Sequence, residues 1–208
     1  GYPEAGARLS GEVRLNGRVL PLAGSDARAR RHAGIGHVPE DRQAEGLILE
    51  FSAWENVAFG YHDAPEYNRG WLMDEAAIRA DAQGKIERFD VRPPDPDLAA
   101  RNFSGGNQQK LLLAKTMLTD PEIILIDEPT RGIDVGTKQQ IYRFVRGLAR
   151  SGKGVVVISS ELPEVIGLSD RVVVMRQGRV AGEVAGAAVT EENIVRLAMG
   201  VGAEREPA

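Results

Sequence analysis

The chain has 208 residues, a formal net charge of −4, 42% hydrophobic residues and no cysteine. That apolar share supports a real core and excludes a disordered tail, and the acidic balance argues against a dedicated nucleic-acid binder, which carries a basic face. Without cysteine there is no disulfide framework or thiolate metal site, and no apolar run approaches the roughly 20 residues needed to cross a bilayer.

The chain opens on Gly1, in mid-phrase, and reads as a fragment of a longer protein. GEVRLNGRVL (11–20) alternates about Asn16-Gly17 and predicts a hairpin. IGHV (35–38) is a short strand ending at Pro39, and PEDRQAEGLI is a polar loop. Ser52 is placed to cap a short helix through WENVAF, and 63–71 reads as loop. Ile78, Ala82, Ile86 and Phe89 predict a helix over 75–89, and the three prolines of DVRPPDPD (90–97) predict an irregular connector. Gly106 to Leu118 reads as helix, stopped by Asp120-Pro121. EIILI (122–126), GVVVI (154–158) and RVVVM (171–175) are buried strands, separated by an amphipathic helix over 135–150 and a short one over 162–168. RVAGEV (179–184) closes a hairpin after Gly178, and Thr190 starts a last helix to Met199. Strands alternating with helices, with near-continuous Val/Ile runs, predict a parallel sheet covered on both faces.

Two stretches suggest chemistry. The first is RNFSGGNQQK (101–110). Adjacent glycines weaken a helix by roughly 1 kcal/mol each relative to alanine, so Gly105 and Gly106 need a reason. Behind an N-cap at Ser104 they leave backbone N–H groups open to an anion, at the positive end of the helix dipole. The plainer alternative is an ordinary cap at a flexible joint. The second is IILIDEPT (123–130), an apolar strand ending in two carboxylates. Asp127 reaches the carboxyl edge of a parallel sheet, where such folds bind ligands. One carboxylate can hold Mg²⁺ through its water shell and the next can orient or deprotonate an attacking water. The plainer alternative is a strand followed by an acidic turn.

Together, with one helix between them, these stretches resemble the ATPase domains of ABC transporters. FSGGNQQK is similar to their signature motif, and IILIDEP to their Walker B strand with its following glutamate. TRGID (130–134) resembles the D-loop, with Asp134, and IGHVPED (35–41) lies where the Q-loop sits, with Glu40 in place of glutamine. Residues 155–175 resemble the H-loop strand, helix and next strand, with Ser160 where the family has histidine. The resemblance covers essentially the whole chain. NQQK, the phrase Glu40-Asp41-Arg42…Gly46-Leu47, and PTRGIDVG resemble the branch that imports ribose, galactose, xylose and related sugars or nucleosides. TEENIVRLAMG (190–200) fits the second, C-terminal ABC domain of such two-domain subunits.

The resemblance implies an α/β, P-loop NTPase-type fold with a helical signature subdomain and a small antiparallel β portion. It divides the chain into an antiparallel remnant with the Q-loop region (1–51), the helical subdomain (52–118) and the α/β core (119–208). It implies ATP and Mg²⁺ as ligands, with Glu128 catalytic and Asp127 holding Mg²⁺ through water. Ser104, Gly105, Gly106, Asn107 and Gln108 would contact ATP held by a partner domain. The implied partners are the N-terminal ABC domain of the same polypeptide, a second copy of the subunit, permease subunits and, indirectly, a periplasmic or lipoprotein solute-binding protein, at the cytoplasmic face of the membrane. The chain departs from the family in having no G-x-x-x-x-G-K-[ST] phosphate loop, strand or helix, so the isolated fragment is expected to be inactive. A non-hydrolysing half that only presents its signature is the alternative. Trp54 and Trp71 lie in the segment that faces the membrane subunit in the family, though core packing is the plainer reading. Arg42 and Arg131 are read equally as partner contacts or local pairs, and Lys110 and Lys115 as solvent-facing.

Overall fold

The computed structural model describes residues 8, 10–21, 26–61 and 64–200. The opening phrase, apart from residues 8 and 10, and His62 lie outside the described residues. The elements in chain order begin with a hairpin, β1 (Val13–Leu15) and β2 (Arg18–Leu20), turned by Asn16 and Gly17, both with positive φ. Helix α1 (Ala27–His32) is capped by Asp26 and buries none of its residues, so apolar spacing gave no sign of it. After strand β3 (Ile35–Val38) the expected polar loop contains a π-helical turn, Arg42–Gly46, capped by Asp41. Backbone N–H groups of Ala44 and Gln43 hold the Asp41 carboxyl below its ordinary range.

Helix α2 (Ala53–Ala58) starts at Ser52, which forms a capping box with Glu55. The expected loop that follows holds a 3₁₀ turn and a small hairpin, β4 (Asn68–Arg69) with β5 (Leu72–Met73). Helix α3 (Glu75–Arg88) buries Ile78, Ala82 and Ile86 as its spacing predicts. Helix α4 (Gly105–Thr116) follows the Ser104 cap, and a 3₁₀ turn carries the chain to Asp120, which takes the left-handed conformation. The α/β part contains β6 (Ile123–Asp127), α5 (Val135–Arg150), β7 (Gly154–Ile158) and α6 (Leu162–Leu168). The described chain ends with the hairpin β8 (Arg171–Arg176) and β9 (Arg179–Ala185), then α7 (Glu191–Met199), capped by Thr190.

The parallel sheet has the order β3-β6-β7. The expected hairpin of 171–175 with 179–184 forms, β8 pairing antiparallel with β9. What is corrected is its place: the hairpin is a separate two-stranded sheet and adds no third strand beside β6 and β7. Rows Gly36–Ile124–Val155 and Val38–Ile126–Val157 face the main core, which is built largely on α2, α3, α4 and α5. Each fully buried Ile or Leu there, such as Ile126 and Leu111, contributes about 1.5–3 kcal/mol. Gly36 has a packing reason: an added Cβ would lie 2.9 Å from both Pro121 and Thr116. The opposite face carries His37, Leu125, Val156, Asp127 and Ile158 in register. Val156 is 48% exposed and Ile158 53%. The expectation of a sheet covered on both faces is therefore corrected: among the described residues one face is bare, and β7 pairs on one edge only.

Candidate functional site

Ser104 caps α4 with backbone dihedrals of −60° and 157°, accepting from the N–H of Asn107 at 3.4 Å and from Asn107 Nδ2 at 2.9 Å. The glycines behind it admit close neighbours. A Cβ at Gly105 would lie 2.7 Å from a guanidinium nitrogen of Arg42, and one at Gly106 would lie 2.7 Å from the Thr137 methyl. Asn107 accepts from the Arg92 N–H at 2.8 Å and so ties the connector to the helix. Gln108, grouped with the expected nucleotide contacts, is buried. Its amide donates to the Ala100 carbonyl at 3.0 Å and accepts from Gln43 at 3.0 Å. That side chain anchors the helix within the chain.

Arg42 lies over this turn. It donates to the Arg131 carbonyl at 3.0 Å, while its Nε is buried with no hydrogen-bond partner. Glu40 is exposed and pairs with Arg131. Asp134 caps α5, accepting from the Thr137 N–H at 3.0 Å and the Thr137 hydroxyl at 2.8 Å. The backbone bond from Thr137, then the hydroxyl, holds the Asp134 carboxyl below its ordinary range. The same Thr137 packs on Gly106. Glu40, Arg42, Ser104–Gly106 and Asp134 therefore form one neighbourhood, joined through Arg131 and Thr137.

A second cluster sits at the carboxyl end of the sheet. Asp127 ends β6 on the bare face. Glu128 takes a left-handed backbone conformation, φ 43°, where a non-glycine residue needs outside support. That support is present: its N–H donates to the Ile158 carbonyl at 2.8 Å, and its Oε1 accepts from the Ser160 N–H at 2.8 Å. Ser160 thus meets Glu128 through its backbone.

A family model described as ABC transporter matches residues 6–131, more than half of the chain. The chain belongs to the ABC transporter family. It is 47% identical over 196 residues to a ribose import ATP-binding protein, RbsA 2, of Rhizobium meliloti, covering 94% of this chain and 38% of that protein. It is 46% identical over 192 residues to a putative ribose/galactose/methyl galactoside import ATP-binding protein of Rhizobium etli, covering 92% and 36%. The chain thus spans less than two-fifths of those relatives. Among solved structures it is similar to an ATP-binding cassette in a dimeric, post-hydrolysis state bound to ADP and Pi. That match has a TM-score of 0.68 and 24% identity, and covers 85% of this chain and 73% of the other. The fold is the α/β fold of ABC ATPases.

Within this ABC chain the fit to Mg²⁺ is limited. Asp127 offers a hard oxygen, but no group of three acidic or histidine side chains gathers among the described residues. That suits an ion that keeps several waters and takes phosphate oxygens. Sequence reasoning missed Thr137, Thr130 and Glu164. Glu164 had one signal, a lone carboxylate inside the apolar run LPEVIGL. It also placed two lysines wrongly. Lys110 is buried against Asp90, bonding its carbonyl at 2.8 Å, and Lys115 reaches inward to the Gly46 carbonyl at 3.0 Å. Trp54 is half-buried under Arg79, at 4.5 Å, while Trp71 is 89% exposed.

Proposed function

We propose that this chain is the second ABC domain of an importer subunit for a simple sugar or nucleoside. In this reading it presents Ser104, Gly105 and Gly106 to ATP held by a neighbouring ABC domain. The observation that carries the reading is the pairing of Arg42 with the first turn of α4. Two positive features meet there, a guanidinium with an unpartnered buried Nε and a helix N-terminus, and Arg42 forms no ion pair among the described residues. A phosphate group is the kind of anion that a guanidinium and a helix N-terminus both attract. Phosphoryl transfer depends mainly on positioning and charge stabilisation, which is what donors on a rigid helix supply.

The second cluster would serve a nucleotide gripped by a phosphate loop outside this chain. Mg²⁺, when bound with that nucleotide, neutralises phosphate charge; Asp127 would hold it through water. Glu128, fixed by Ile158 and Ser160, would accept a hydrogen bond from the attacking water. The bare sheet face beside Asp127 is where the missing strand and helix of the fold would pack. The fragment alone is then inactive. In this reading the domain works with permease subunits and a solute-binding protein at the cytoplasmic membrane face, and the import role in the relatives' names supports it. No described helix is long and apolar enough to cross a membrane.

A second reading is favoured by Ser160, which brings no imidazole to the phosphates. The site on this domain would then be degenerate, with the signature as its working part. The test uses the full-length subunit. Gly105→Asp places a carboxylate on Arg42 where the phosphate would sit, and sugar uptake is expected to be lost; normal uptake sinks the signature reading. Glu128→Gln separates the other two: lost turnover means a working second site, unchanged turnover a degenerate one.

A further inference from the structure

Glu164 is a buried carboxylate that the proposed chemistry does not use. It is 1% exposed on α6, and Thr130, also 1% exposed, donates its hydroxyl to Glu164 Oε1 at 2.9 Å. The second oxygen is buried with no hydrogen-bond partner. A carboxylate held by one neutral hydroxyl is a costly way to fill a core, and an apolar side chain would pack there at less expense. Its position offers a reason. Thr130 stands two residues beyond Glu128, in a turn where the Arg131 N–H donates to the Glu128 carbonyl at 3.2 Å. Helix α6 starts two residues beyond Ser160, whose N–H holds the Glu128 carboxylate. The Thr130–Glu164 bond therefore joins the turn that carries Glu128 to the segment that supplies its anchor. Lys138 adds a strap from α5 to Glu161 at 2.7 Å, but that strap is at the surface and open to screening.

We infer that Glu164 is a positioning residue: through Thr130 it fixes the 128–131 turn against the 158–161 segment, so that Glu128 keeps its carboxylate on the Ser160 amide. This rests on the reading of Glu128 as the group that orients water. Small displacements of such a group are expensive, about 10²-fold in rate per ångström.

The test is ATP turnover by the full-length subunit. Thr130→Val combined with Glu164→Leu replaces both partners with apolar groups, a change that leaves fewer buried polar atoms unsatisfied than either single change. The expected result is a kcat lower by about tenfold or more with KM for ATP within about twofold, and faster hydrogen exchange at the Glu128 and Ser160 amides. Thr130→Ser, which keeps the hydroxyl, restores kcat. Should the double variant not fold, Thr130→Ala compared with Thr130→Ser carries the same test. If Glu128→Gln abolishes turnover while the hydroxyl-free variants keep wild-type kcat, the positioning role is wrong and the reading of Glu128 stands. If Glu128→Gln leaves turnover unchanged, the reading of Glu128 fails and this role falls with it.

Discussion

Lys115 illustrates how a single residue can oppose the fold that contains it. Its ammonium reaches the Gly46 carbonyl and the face of Phe59, at 5.4 Å, with no carboxylate bonded to it. Burial, and then the nearby Arg31, push its pKa down to about 8 from 10.5. A folded value below the unfolded one means that folding releases a proton, so the charge opposes folding in full below about pH 8, and the penalty fades as pH rises towards 10.5. At 1.36 kcal/mol per pKa unit that gap corresponds to about 3 kcal/mol. Lys115→Met gives up the Gly46 bond but removes the charge. It is expected to raise unfolding free energy at pH 7 by about 1–2 kcal/mol, with the gain shrinking in alkaline buffer. Denaturant titrations at pH 7 and pH 10 check both the sign and its pH dependence; a loss of stability at pH 7 refutes the account. The sequence alone pointed the other way, because a lysine on a helix is read as solvated unless something shows what packs over it. Here the cover comes from Gly46 and Phe59, distant in the chain.

At the scale of elements, local chemistry was legible and partners were not. Ser52, Ser104 and Thr190 each cap the helix that their spacing announced. Asn16-Gly17 turns the first hairpin, and Gln177 and Gly178, both at positive φ, turn the last. Helix α1 was missed because none of its residues is buried and it has no periodic apolar face. The β8–β9 hairpin was legible from Gly178, but the run VVV suits a parallel or an antiparallel strand equally, so its separation from the parallel sheet was not. Around α4 the role of one glycine was half legible: an open helix start was foreseen, but not the Thr137 side chain against it. Gly106→Ala sets a methyl against Thr137, which is itself bonded to Asp134. The displacement is expected to destabilise the protein by about 1–3 kcal/mol, read by denaturation, and to be partly relieved by Thr137→Ser, which removes the clashing methyl. Equal stability of Gly106→Ala and the parent excludes that packing role.

For the whole molecule the central fact is one sheet with two unlike faces. The buried face closes a core shared by β3, β6, β7 and the helices, while the other leaves Val156 and Ile158 about half exposed. Val173 and Met175 of β8 are likewise exposed, and β7 has an open edge among the described residues. Apolar strands open on one face and one edge bind dyes and other strands. If the proposed strand and helix pack on this face in the longer subunit, the same change must act oppositely in the two settings. Val156→Lys with Ile158→Lys is expected to leave the helix content of the 208-residue chain intact and to lower its association and its binding of a hydrophobic dye. In the full-length subunit the two lysines would lie in the core, where unpaired buried charge is strongly destabilising, and soluble yield should fall sharply. Tolerance of both lysines by the full-length subunit would mean that this face meets water there too, and the completed fold proposed for it would have to be abandoned.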